Sequence, residues 1–211
     1  RWALLAGGLY FLSARFGMEV FALQPSNLTL LWLASGIGLV MAVRLGWRAV
    51  PLILLASFAA NYSGMSGGAV QHPALHVLIS AIADALVPLL AATLLRWRMP
   101  AGLTSASSLG AFSLYACLLP TTLGGALIAV NLVWGGYIEQ TAMLDLLRAL
   151  VIADSLGILL VYPLYQAWHE LPAPTAEEWG WLLLAGLFNL GAVLLAFNGF
   201  SGFIYFVLPA L

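Results

Sequence analysis

There is no lysine in this chain of 211 residues: its seven cations are all arginine, set against eight acids for a net charge of −1. Cations so few and so scattered cannot form a nucleic-acid surface. Only 7% of the residues are charged while 63% are hydrophobic, against roughly 25% charged in a soluble globular domain. A water-soluble fold is excluded. The single cysteine, Cys117, rules out an intrachain disulfide and reads as packing within an apolar run. Also missing are a nucleophile beside a base, a glycine-rich phosphate loop and a metal-ligand cluster. No catalytic residue, metal site or cofactor is legible. His72 and His76 are four apart, but Pro73 intervenes, which makes His72 a helix cap and turns it off the face of His76.

What is present is a series of apolar runs long enough to cross a bilayer. They predict an all-α, polytopic bundle of about eight spans: residues 2–23, 28–43, 50–62, 73–97, 105–134, 144–168, 179–197 and an eighth from 201, forming one membrane domain over residues 1–211. The first run has no small-residue cleavage site and reads as a span, not a leader. Pro25 marks a short turn, Pro73 suits the first position of its helix, and Thr175 with Glu178 matches a capping box. Pro120 with Gly124 predicts a kink or break in the fifth span, and Pro88 and Pro163 fall inside others. Arg44 and Arg48 follow the second span and Arg96 and Arg98 the fourth. The positive-inside rule puts these ends, and with eight crossings both termini, in the cytoplasm. Trp47, Trp97, Trp134, Trp168 and Trp179 fall near interfaces, as belt residues do.

The run at 144–168 carries Asp145, Arg148 and Asp154. An ionisable group at membrane depth costs roughly 2.5–3.5 kcal/mol on insertion scales, so such residues face the bundle interior with a partner. At 100° per residue, Leu150, Asp154, Gly157 and Val161 share a face, and Gly157 lets another helix come close beside the carboxylate. Asp84 comes out at a similar depth on the fourth span. Two carboxylates together in a low dielectric do not both stay ionised: they share a proton, or Arg15 or Arg148 neutralises them. The pair is either structural, setting helix register, or a ligand- or proton-sensing site. Arg15 with Glu19 and Asp145 with Arg148 have spacings that permit local pairing. Asn61 and Asn131 complete the polar set. Trp32 is expected just inside the second span, with Ser35 and Gly36 after it as a packing or pocket position.

Several stretches resemble the bacterial membrane-associated sensor (MASE) domains of the first-described, eight-helix type. They run in the family's order: LLWLASGIGLVMAVRLGWRAVP at 30–51, SFAAN ending at Asn61, ISAIADALVPLLAATLLR around Asp84, LLPTTLGGAL around Pro120 and ADSLGILLVYPL from Ala153. The chain departs from the family pattern at Leu33, Ala81, Asp84 and Leu150, which implies altered pocket chemistry. The chain is read as a multi-pass sensor of the bacterial inner membrane with a small-molecule ligand in a cavity near Trp32, Asn61, Asp84 and Asp154, in keeping with the membrane sensory module that the resemblance implies. The resemblance also implies a homodimer attached in cis to a cytoplasmic output, such as a histidine kinase of a two-component system, or a diguanylate cyclase or other cyclic-di-GMP enzyme. From the residues alone, a small secondary transporter or channel using the same midplane acids is the rival reading.

Overall fold

The computed structural model describes residues 2–20, 22, 23, 28, 29, 31–67, 70–103, 106–170, 175, 179–181, 183 and 184. Its elements are α1 (Trp2–Val20), two short extended segments β1 (Ala22–Leu23) and β2 (Leu28–Thr29), α2 (Leu33–Leu45), α3 (Ala49–Met65), α4 (Pro73–Arg98), α5 (Ala106–Phe112), α6 (Leu119–Trp134) and α7 (Met143–Glu170). Most of the seventh and all of the eighth expected span, and Glu178 of the capping box, lie outside the described residues. The chain divides into two compact units, Arg1–Ala167 and Trp168–Leu211. In the second, the Trp179 amide donates to the Thr175 carbonyl at 2.9 Å and Trp168 meets Trp179 edge-on.

In the first unit the surface is oily and the interior holds the polar groups. Leu4, Leu5, Leu9 and Leu12 of α1, Leu55 of α3, Leu123 of α6 and Leu160 of α7 are all exposed. Ser35, Ser57, Ser80, Thr121, Asn131, Asp154 and Ser155 are buried. Apolar patches of that extent do not face water; on a helical bundle such a surface faces lipid. Among the described residues, three helical stretches, Leu33–Met65, Pro73–Arg98 and Ser107–Trp134, are long and apolar enough to cross a membrane. The core is built from small side chains, among them Ala34, Ala42, Ala60, Ala85, Ala91 and Ala92, which let helices approach closely where no hydrophobic effect drives them together.

Three breaks differ from the expected spans. Helix α1 stops at Val20, and Ala22–Leu23 pairs antiparallel with Leu28–Thr29. The chain leaves the helix for this extended pairing, so α1 ends short of the expected residue 23. The second helix begins at Leu33, not Leu28, and Trp32 is its N-cap and not a residue of its first turn. It ends at Gly46, whose φ of 60° only glycine adopts readily, and a 3₁₀ turn (Gly46–Arg48) leads into α3.

The break expected around Pro120 takes the form of a π-helical turn, Ser113–Leu118, joining α5 to α6. Proline lacks the amide of an ordinary α-turn and its ring crowds the carbonyl four residues back; the wider π-turn makes room. Pro88 and Pro163 stay inside α4 and α7. At the arginine-bearing end, Arg96 donates to the Ala42 and Val43 carbonyls at 3.1 and 2.8 Å, in the last turn of α2, where the Gly46 amide also donates to Ala42. Arg44 Nε donates to the Tyr165 hydroxyl at 2.9 Å, holding that stretch of α7 to α2.

Candidate functional site

Asp154 lies in the middle of α7 and is 7% exposed. Its Oδ1 accepts the Ser35 hydroxyl at 2.5 Å, and Ser35 stands in the first turn of α2 because Trp32 starts that helix late. The same seam is held by backbone: the Trp32 amide donates to the Ala153 carbonyl at 3.1 Å, and the Ser35 amide to the Trp32 carbonyl at 3.2 Å. Gly157 supplies the space, since a Cβ there would overlap the Trp32 carbonyl, and one at Gly36 would overlap Gly157 and Val161. One turn of α7 thus carries both the buried acid and the closest helix contact.

Asp84 on α4 is half-buried and accepts the Ser57 hydroxyl from α3 at 2.6 Å. Asn61 does not reach the acid. Its amide donates to the Ser57 carbonyl at 3.0 Å and to the Ser57 hydroxyl at 3.2 Å, so it positions the serine that holds the carboxylate. A charge on Asp84 would be felt at Asp154. A charge on either would also be felt at the phenol of Tyr10, which is 1% exposed and hydrogen-bonded to the Trp32 side chain. An indole N–H is a donor only, so Trp32 donates and Tyr10 accepts. Pro88 and Tyr10 both pack on Gly38 of α2, where a Cβ would meet them at 3.2 and 3.3 Å.

Tyr10, Trp32, Ser35, Ser57, Asp84 and Asp154 therefore form one polar cluster drawn from α1, α2, α3, α4 and α7. Behind it, Thr121 and Ser155 meet at 3.3 Å, tying α6 to α7. Tyr10 was not visible in the sequence, where a tyrosine in an apolar run looks like packing. Its only signal was that it falls within the first span instead of at the edge, where belt residues lie.

Neither arginine neutralises the acids. Arg15 bonds Glu19 at 2.8 Å and the Ser63 hydroxyl at 3.0 Å, and Arg148 bonds Asp145 at 3.0 Å, with these side chains 37–79% exposed. The long cationic side chains find acids one turn away on their own helices at no cost in desolvation. Among the described residues the ion pairs are these two, and neither involves Asp84 or Asp154. Each inner carboxyl is held by a neutral hydroxyl, an arrangement that suits a group able to exchange a proton or meet a ligand's donor. No group of three or more metal-ligating side chains occurs among the described residues. Gly124 and Pro120 instead line an apolar groove of about 450 Å³ against Val87 and Leu127, on the α4–α6 face.

An outward-apolar helical bundle with two interior acids held by hydroxyls defines a membrane-embedded domain with a polar interior site. Residues 2–209 match the MASE1 family model, so the chain belongs to that family of membrane-associated sensor domains. No curated protein and no solved structure matches the chain.

Proposed function

We propose that this chain is the signal-sensing domain of a bacterial inner-membrane signalling protein. In this reading it crosses the membrane about eight times with both termini in the cytoplasm. A small-molecule ligand engages Trp32, Tyr10, Asp84 and Asp154, and the response passes along α7 to a C-terminal cytoplasmic output, a histidine kinase or a cyclic-di-GMP enzyme, in a homodimer. The observation that carries it is the position of Asp154: its carboxyl is bonded to Ser35 at the seam where the Trp32 amide meets the Ala153 carbonyl. Anything that takes over the carboxyl's hydrogen bond changes the fit of α7 on α2. A ligand shifts an equilibrium only by its different affinity for two packings, and a seam held by one short side-chain hydrogen bond, one backbone hydrogen bond and two glycine contacts can have two.

The test is output activity of the natural full-length protein in nanodiscs as candidate ligands and pH are varied. Loss of the response in Asp84→Asn and Asp154→Asn, with folding retained, supports the sensor. A transporter reading draws on the π-turn before Pro120 and on Pro88 and Pro163, broken or strained helix near the acids. Substrate flux in proteoliposomes, with output indifferent to every ligand, would favour it.

A further inference from the structure

A second buried polar cluster lies at the end of α4 opposite its arginines. His76, in the first turn of α4, is 5% exposed. Asn131, near the end of α6, donates through Nδ2 to the His76 backbone carbonyl at 2.8 Å and to the Ser80 hydroxyl at 3.1 Å. A carbonyl only accepts, so this bond decides which end of the Asn131 amide is nitrogen. Its Oδ1 then faces His76 Nδ1 at 2.8 Å as an acceptor, and Nδ1 must carry the hydrogen. The neutral ring is left with its lone pair on Nε2, for which the hydrogen bonds among the described residues supply no partner. The rings of Trp134 and Tyr137 stand nearly perpendicular to the imidazole, with centroids 5.3 and 5.8 Å away. The Tyr137 hydroxyl donates to the Met65 carbonyl at the end of α3, at 2.9 Å.

We infer that His76 is a proton-binding site, taking a proton at Nε2 and drawing the adjoining ends of α3, α4 and α6 together. The Nδ1–H bond to Asn131 is the same in both states, so the ring keeps its place while a positive charge appears beside two electron-rich rings. Tyr137 carries the effect to α3 through its bond to Met65. The titratable side chain in contact is the Tyr137 phenol, from the connection between α6 and α7, with Glu139 further along that connection. On its own helix His72 lies one turn earlier; α6 contributes the neutral Asn131 and Trp134, and α3 a backbone carbonyl. At this end of the bundle α3, α4 and α6 carry no Asp, Glu, Lys or Arg; the charged residues of α4, Asp84, Arg96 and Arg98, lie two turns or more further along it. On the orientation proposed above, this end faces away from the cytoplasm.

The test follows tryptophan emission of the full-length protein in nanodiscs from about pH 5 to 8, where imidazoles change charge. Imidazolium quenches a neighbouring indole, so emission falls reversibly on acidification, by no more than the share of the Trp134 indole, one of the eight in this chain. The change disappears in His76→Gln, which can still donate to Asn131, and in Trp134→Phe. Amide exchange at residues 132–137 slows at the acid end in the wild type. Emission that is flat with pH, or a change that persists in folded His76→Gln, overturns the inference. If His76→Gln fails to fold, Trp134→Phe decides it, since that side chain is 68% exposed and its loss leaves the core intact. A change undiminished there also overturns it.

Discussion

Gly157 of α7 lies directly beneath the backbone carbonyl of Trp32, the residue that starts α2. Helix propensity alone favours Gly157→Ala by up to about 1 kcal/mol. The clash with a backbone atom, which cannot rotate away, costs about 1–3 kcal/mol, and the clash wins. Denaturation of the purified domain should show Gly157→Ala destabilised, and Gly8→Ala, where a Cβ meets nothing within 4 Å, neutral or stabilised.

Ser35 and Asp154 should be energetically coupled. Ser35→Ala removes the hydroxyl that the carboxyl accepts and is expected to cost about 1–2 kcal/mol. Once Asp154→Asn has changed the acceptor, the same substitution should cost less than the two separate losses added. A double-mutant cycle reads the difference, expected at about 0.5–2 kcal/mol. Strict additivity would mean that the bond contributes nothing to folding.

The two outer ion pairs provide the contrast. Arg148→Ala or Asp145→Asn breaks a pair whose side chains are 73% and 79% exposed, and such pairs contribute about 0–1 kcal/mol. Stability should move by less than about 0.5 kcal/mol, and any signalling response should survive. A large loss would place Arg148 in the interior charge balance after all.

Asn61→Ala should weaken the site without abolishing it, because Asn61 reaches Asp84 only through Ser57. Ligand affinity is expected to fall by about 1 kcal/mol or less, and Ser57→Ala to cost more. Isothermal or spectroscopic titration of both variants with any ligand that drives output orders the two effects. Equal losses would show direct contact of Asn61 with the ligand.

Trp32→Phe keeps a ring at the start of α2 but removes the N–H that Tyr10 accepts. Tyr10 is buried, so its phenol loses a partner it cannot replace from water, at about 1–3 kcal/mol. Tyr10→Phe in the same background should recover part of that loss, measurable as a rise in midpoint denaturation temperature. No recovery would show that the indole's role is packing alone.

Much of the helix pattern was legible because it depends on local rules. A run free of charge and rich in leucine must hide its backbone polar groups in a helix, Pro73 suits a first turn, and 3.6-residue periodicity puts Asp154 and Gly157 on one face. Trp32 was misread because a helix start depends on what caps and meets it: its amide is taken by Ala153, 121 positions along the chain. The local pairs Arg15–Glu19 and Asp145–Arg148 were legible from their spacing, whereas the alternative that an arginine also reaches the inner acids could not be decided there. Sequence spacing shows which partners are within reach on one helix, while the cost of desolvation decides between those and distant ones.

By itself, the sequence determined the class of environment, the helical form, the arginine-rich ends and the presence of two costly interior acids, since each follows from composition or from neighbours within a turn or two. Only the tertiary structure decided that Asp154 faces Ser35, that Asp84 faces Ser57, and that Tyr10 and Trp32 join them. Those pairings run between helices far apart in the chain, and their geometry depends on which small residues allow two backbones to touch, a quantity that no local pattern encodes.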